Sequence, residues 1–188
     1  MYRNHFDLKL RPDPDIPVWD RLAAVWRGVH RASAKSGVPF AVAFPEWMQG
    51  GFTFGKVLRV FVRDTEMADT LYDHLENLPG MDDWVEYGRV RPVRAPERFE
   101  AYRMHRIPSG VSKARRTVSL ERAIVLQQEA RKRMIAQQAS LPFVVMQSSS
   151  GAKFRLVVER LPATGEENGT PNGYGLSRTT QMVAVPVV

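Results

Sequence analysis

Near the start of the chain Phe6, Leu8 and Leu10 alternate with Asp7 and Lys9, the period-two pattern of a strand with one buried face. The pattern stops at RPDPDIPVWD, residues 11–20, where three prolines end the strand and lead into a helix. Between Trp19 and Lys35 the apolar residues Leu22, Val25, Trp26 and Val29 recur at helical spacing, and Gly37 reads as the C-terminal cap. PFAVAFP (39–45) and KVLRVFVR (56–63) are apolar runs of strand length joined through the glycine-rich QGGFTFG. A second helix is expected over 65–78, with Met67, Leu71, His74 and Leu75 facing inward. PGMDD then makes a turn, and residues 84–92 give a further strand.

The first 95 residues therefore read as strand, helix, strand, strand, helix, strand. That order predicts an α+β chain whose N-terminal part is ferredoxin-like, the βαββαβ arrangement shared by RNA-recognition modules. The aromatic signature of those modules, K/R-G-F/Y-G/A-F-V-x-F/Y, is missing, so base stacking on the sheet face is not indicated. RPVRAPERF (91–99) reads as a junction. Beyond it come a strand-like FEAYRMHRI, a break at PSG, and a basic helix over about 112–138 that Ser109 or Ser112 would cap. LPFVVMQ (141–147) and KFRLVVER (153–160) read as strands around the polar turn SSSGA. ATGEENGTPNG (163–173) is a loop by composition, and a last strand is expected in MVAVPVV.

Charge sharpens this picture. Residues 101–140 hold nine lysines and arginines against only Glu121 and Glu129, which accounts for the entire net charge of +7. A surplus confined to one stretch is the footprint of a phosphate-binding surface. The absence of cysteine excludes disulfides and thiolate metal sites. His5, His30, His74 and His105 are never at metal-ligand spacing, so neither a metal nor any other cofactor is implied. No apolar run approaches the roughly 20 residues of a membrane span, and MYRNHFDLKLRP lacks the features of a secretory signal, so a cytoplasmic location is expected.

Candidate chemistry rests on dispersed residues. By periodicity alone, His30, one turn after Trp26 on the apolar side, reads as a packing residue rather than a proton carrier. Several stretches then fall into one pattern: HFDLKLRPDPDIP, the single His30 toward the end of the first helix, LPFVVMQSSSGAKFRLVV, and YGLSR. Together they resemble the CRISPR repeat-RNA-processing endoribonucleases of type I-F systems, over nearly the whole chain. The resemblance implies a ferredoxin-like domain over 1–95 and a smaller RNA-hairpin-binding domain over 96–188. It implies cleavage without metal at the 3′ base of a repeat stem-loop, by attack of the ribose 2′-hydroxyl to leave a 2′,3′-cyclic phosphate. It also implies continued residence on the product RNA, among the other subunits of a type I-F surveillance complex.

The resemblance assigns roles residue by residue. His30 becomes the general base, chemistry that suits an imidazole near neutral pH. Ser148 positions the 2′-hydroxyl, although the turn looks one residue shorter than the family's, which leaves Ser149 and Ser150 open as alternatives. Tyr174 lies close to the active site, and Phe154 stacks on a nucleotide beside the cut. Ser177 and Arg178 are weaker candidates for phosphate contacts. Arg115 and Arg116 belong to an arginine-rich helix in the groove of the stem, with Arg122 adding to it. Thr117, Ser119 and Leu120 stand where the family carries more arginine. Arg103 reads a guanine near the stem base, for which a guanidinium fork is suited. His105 replaces a base-reading glutamine, so a different repeat sequence is expected. The thinner arginine helix and shortened turn keep a second reading open, a non-catalytic hairpin-binding subunit of a CRISPR or transposon-linked guide complex. A third is a general RNA-binding protein of the same fold.

Overall fold

The structure, a computed structural model, describes residues 2–48, 53–107, 118–148 and 150–188. Strand β1 (Asn4–Leu10) and helix α1 (Val18–Ser36) follow the expected pattern, and Gly37 caps α1 in the left-handed region at φ 74°. Strands β2 (Ala41–Ala43) and β3 (Val57–Val62) come next, followed by helix α2 (Thr65–Glu76). The Asp64 carboxylate accepts from the Met67 amide at the start of α2, satisfying one of the free N–H groups of its first turn.

The segment read as a turn at PGMDD contains a short helix, α3 (Met81–Trp84), and the strand expected over 84–92 is two short ones, β4 (Val85–Tyr87) and β5 (Arg91–Pro92). Gly88 separates them, lying against the Asp7 backbone closely enough that a Cβ would sit 2.9 Å from its carbonyl oxygen. The first sheet has the order β2-β3-β1-β4, with β5 also paired to β1, and all of its pairings are antiparallel.

The second sheet combines β6 (Phe99–Met104), β7 (Phe143–Gln147), β8 (Lys153–Ala163) and β9 (Val185–Pro186) in the order β7-β8-β6-β9. The final strand is thus only two residues of the expected MVAVPVV. Helix α4 (Leu120–Gln138) precedes β7, and its first amides are capped by Ser119, which accepts from Arg122 N. Ser109 and Ser112, the expected caps, lie outside the described residues. Among the described residues, no helix is long and apolar enough to cross a membrane.

One buried cluster runs through both sheets. Phe6 and Leu8, Leu22, Trp26 and Val29, and Leu71 and Leu75 continue into Tyr102, Val144, Met146, Leu156 and Leu176. Trp26 is fully buried at its centre, with its ring edge-on to Phe44 at 5.2 Å and to Phe54 at 6.0 Å. The helix carrying His30 is thereby fixed against both sheets.

On β1, alternation sends Phe6 toward α2, where it meets Tyr72, and turns His5 and Asp7 to the opposite face. His5 is buried with its Nδ1 unpartnered, and burial first, then the Arg59 charge, lower its pKa from the ordinary 6.5. The folded protein therefore holds that proton less well than the unfolded chain. The stability this residue contributes is complete above the unfolded value and declines as pH falls below it. Urea midpoints should drop more between pH 7.5 and 5.5 in the native protein than in His5→Gln; equal drops would show that His5 does not carry this dependence.

Candidate active site

Three segments far apart in sequence meet beyond the C-terminal half of α1. The first is α1 itself, which presents half-buried His30 one turn after Trp26. The second is the loop 172–177, built around an asparagine turn: Asn172 Oδ1 accepts from the amides of Tyr174 and Leu176. Gly175 takes φ +75° there, and a Cβ at that position would lie 2.6 Å from the Phe40 ring. The loop is tied to the core twice, by Trp26 Nε1 donating to Tyr174 O at 2.8 Å and by Val42 N donating to Gly175 O at 3.1 Å.

His30 is held by this loop. Its Nδ1 lies 2.6 Å from Gly173 O, and its ring stacks on Tyr174 at 4.6 Å with 24° between the planes. A carbonyl only accepts, so Nδ1 carries the proton of the neutral ring, and Nε2 is left with a lone pair to take a proton. Phe154 of β8 meets the edge of Tyr174 at 6.1 Å, extending a row of three rings.

The third segment is the β7–β8 turn. Ser148 Oγ and Ser150 Oγ lie 2.9 Å apart, and Gly151, at φ +84°, closes the turn through its amide to Ser148 O. The sequence left the choice among Ser148, Ser149 and Ser150 open. The structure presents Ser148 and Ser150 as a hydrogen-bonded pair, while Ser149 lies outside the described residues. Arg27, one turn before His30, donates to Gln147 Oε1 at 3.4 Å, and Gln147 Nε2 donates to Gly151 O. That bridge ties the serine turn to α1.

The recognition residues separate into distinct environments. Arg103 of β6 stands opposite Glu159 of β8 in the strand register and donates from Nε to Oε1 at 2.8 Å. Glu159 is buried, so the arginine is held by one edge of its fork while the rest reaches the surface. Arg122 is exposed on the first turn of α4. Arg115 and Arg116 lie outside the described residues. His105 corrects the expectation from sequence: its side chain is fully buried, Nε2 donates to Met134 O of α4 at 2.9 Å, and Nδ1 faces Glu159 at 3.9 Å. It pins α4 to the second sheet and offers no edge to a base. Ser177 is likewise structural, since its buried Oγ accepts from the Val183 amide at 3.0 Å. Arg178 is exposed.

Glu159, Asn172, Arg27 and Gln147 were not singled out from sequence. Two of them left a signal. Glu159 is an acid within the apolar run LVVERL, and Asn172 opens the turn-forming NGYG.

Gly173 permits the close approach of the imidazole. A Cβ there would lie 3.0 Å from His30 Cε1 and 3.1 Å from Nδ1, so Gly173→Ala must push the ring aside by a few tenths of an ångström. If His30 acts in the chemistry, such a shift lowers its rate by about 10-fold, since misplacement of around 1 Å can cost 100-fold. Single-turnover rates and RNA affinity measured on the same variant check this. An unchanged rate would contradict it.

The chain is thus an α+β protein of two antiparallel sheets, with a half-buried histidine held by the 172–177 loop and a serine turn tied to the same helix. The comparisons make the class specific. The model of the Cas_Csy4 family, described as CRISPR-associated protein, matches residues 5–188, and the chain belongs to that family of type I-F pre-crRNA-processing endoribonucleases. A curated relative from Pseudomonas aeruginosa (strain UCBPP-PA14), the CRISPR-associated endonuclease Cas6/Csy4, is 30% identical over 184 residues, covering 93% of this chain and 95% of the relative. A solved structure of the CRISPR endoribonuclease Cse3 bound to a 19-nt RNA spans 99% of this chain and 100% of its own. Its TM-score of 0.32 and 14% identity are too low to bear on fold or function.

Proposed function

We propose that the protein binds a CRISPR repeat stem-loop and cleaves it at the 3′ base of the stem by metal-independent attack of the ribose 2′-hydroxyl. The observation that carries this reading is the 2.6 Å contact of His30 Nδ1 with Gly173 O. With Nδ1 donating to Gly173 O, Nε2 is the free proton acceptor, and the Tyr174 ring beneath the imidazole holds its plane. His30 removes the 2′-hydroxyl proton. The Ser148 and Ser150 hydroxyls hold that ribose in line, and Phe154 stacks on the neighbouring base. RNA supplies its own nucleophile next to each phosphate, so deprotonation, alignment and assistance to the leaving 5′-oxygen complete the reaction. The products are a 2′,3′-cyclic phosphate and a 5′-hydroxyl.

Recognition rests on Arg103, Arg122 and the basic segment holding Arg115 and Arg116. Glu159 positions Arg103, leaving the open part of its fork to meet a guanine edge. The strand order β2-β3-β1-β4 supports a ferredoxin-like N-terminal domain over 1–95, and residues 96–188 form the second domain around the other sheet. The protein acts in the cytoplasm and stays on its product as one subunit of a type I-F surveillance complex.

The test is incubation of the cognate repeat hairpin, and of a hairpin with a scrambled stem, in EDTA. Cleavage of the cognate alone, with cyclic phosphate and 5′-hydroxyl ends, is expected. A metal requirement or equal cutting of both would overturn the reading, and tight binding without product would leave a hairpin-binding subunit only.

A further inference from the structure

A cleft of about 700 Å³ opens on the face of the first sheet turned away from Phe6 and the helices it packs against, between β1, β3, β5 and the connector 94–98. His5, Arg59, Arg91, Arg94 and Arg98 line it, against a single acid, Glu97. Arg59 is engaged already, gripping Asp7 through Nε at 2.7 Å and Nη2 at 2.9 Å and donating from Nη1 to Val188 O. Arg91, Arg94 and Arg98 are exposed and, among the described residues, have no side-chain hydrogen bond or ion pair. His5 also lines the cleft, buried, and its Nδ1 has no partner. Ala95, between two of the arginines, takes the left-handed φ of +23°, a conformation that an alanine keeps only when its surroundings impose it.

We infer that this cleft binds the phosphodiester backbone of single-stranded RNA flanking the hairpin, as a second RNA site separate from the one around His30. The inference rests on the RNA-processing reading above for the identity of the strand, but its chemistry is local. Among the charged side chains of the walls, four guanidinium groups face one carboxylate, Glu97. A diester backbone presents only acceptors, and a planar fork suits each phosphate. The site is also not the scissile one, since α1 and its His30 lie across the sheet. Backbone contact of this type reads no sequence and weakens with salt.

The experiment measures affinity for three RNAs carrying a 2′-deoxy block at the cut: the repeat hairpin alone, the hairpin with a 5′ single-stranded extension, and the hairpin with a 3′ extension. The same extensions without a hairpin are titrated in parallel, against the native protein and Arg91→Ala/Arg94→Ala. One extension should tighten binding by about 10-fold at low salt and steepen the log–log salt dependence by roughly 1.4, two contacts at about 0.7 each for a single strand. The double variant should bind the bare hairpin like the native protein, lose that gain, and bind the isolated extension more weakly. His5 provides a second readout, because a bound phosphate offsets the positive field that helps lower its pKa. Its imidazole resonances should therefore titrate at higher pH with the extension present. A gain that survives the double substitution, or no gain from either extension together with equal binding of the isolated strands, overturns the inference and leaves the cleft to an acidic protein surface. Failure to bind the bare hairpin would instead count against the RNA-processing reading, while the isolated strands still decide the cleft.

Discussion

His30→Ala lowers the single-turnover cleavage rate of a bound repeat hairpin by at least about 100-fold, the lower range of what a positioned acid or base supplies. Hairpin affinity should stay within a few-fold, because the proposed recognition residues sit elsewhere, on β6 and α4 and in the segment before α4. His30 itself is half-buried at the rim of the core and makes one hydrogen bond, to Gly173 O. Its loss therefore leaves the fold in place. Rate and affinity measured on the same preparation separate the roles: a parallel loss of both would return His30 to packing.

Trp26 should produce the second large effect, in the opposite currency. It is fully buried, meets two phenylalanine rings edge-on and donates to Tyr174 O. Trp26→Ala should cost about 3–5 kcal/mol of stability, the range for emptying a large aromatic site. Trp26→Phe keeps much of the packing but removes the indole N–H that holds the loop under His30. That variant should lose cleavage more than it loses stability, and the Tyr174 carbonyl left without its donor adds a desolvation cost of about 1–3 kcal/mol. Denaturant unfolding and single-turnover kinetics on the two variants check the split. Cleavage by Trp26→Phe at the native rate would mean that the hydrogen bond to the loop is irrelevant.

The two variants also show what the sequence made legible. Helix α1 was readable because Leu22, Val25, Trp26 and Val29 repeat at its period, and Gly37 marked its end through the left-handed conformation it adopts. Strand β1 was readable because apolar Phe6, Leu8 and Leu10 alternate with charged Asp7 and Lys9, which are less buried. Periodicity failed where elements are too short to show a repeat, as at α3, β5 and β9. It also could not tell that His105 is enclosed, since its partner Met134 lies 29 residues onward on a helix that buries only Ala123 along its length. The site follows the same rule. His30, Ser148 and Tyr174 come from three distant segments, and only the family resemblance set them side by side. Asn172 holds its loop by local hydrogen bonds in a turn that NGYG signals, whereas the Arg27–Gln147 bridge and the Trp26 indole are single tertiary hydrogen bonds with no periodic trace. Glu159 differs, because an acid inside an apolar strand is a visible anomaly whose partner a register would reveal.

In the proposed reaction the RNA's own 2′-hydroxyl is the nucleophile, and this chain only removes its proton and holds it in line. A cognate hairpin with a single 2′-deoxy substitution at the nucleotide before the cut, incubated in EDTA beside the all-ribose hairpin, tests that directly. The all-ribose RNA should be cut, and the substituted RNA should bind with the same affinity and stay intact. Cleavage of the 2′-deoxy hairpin at the same position would contradict the account.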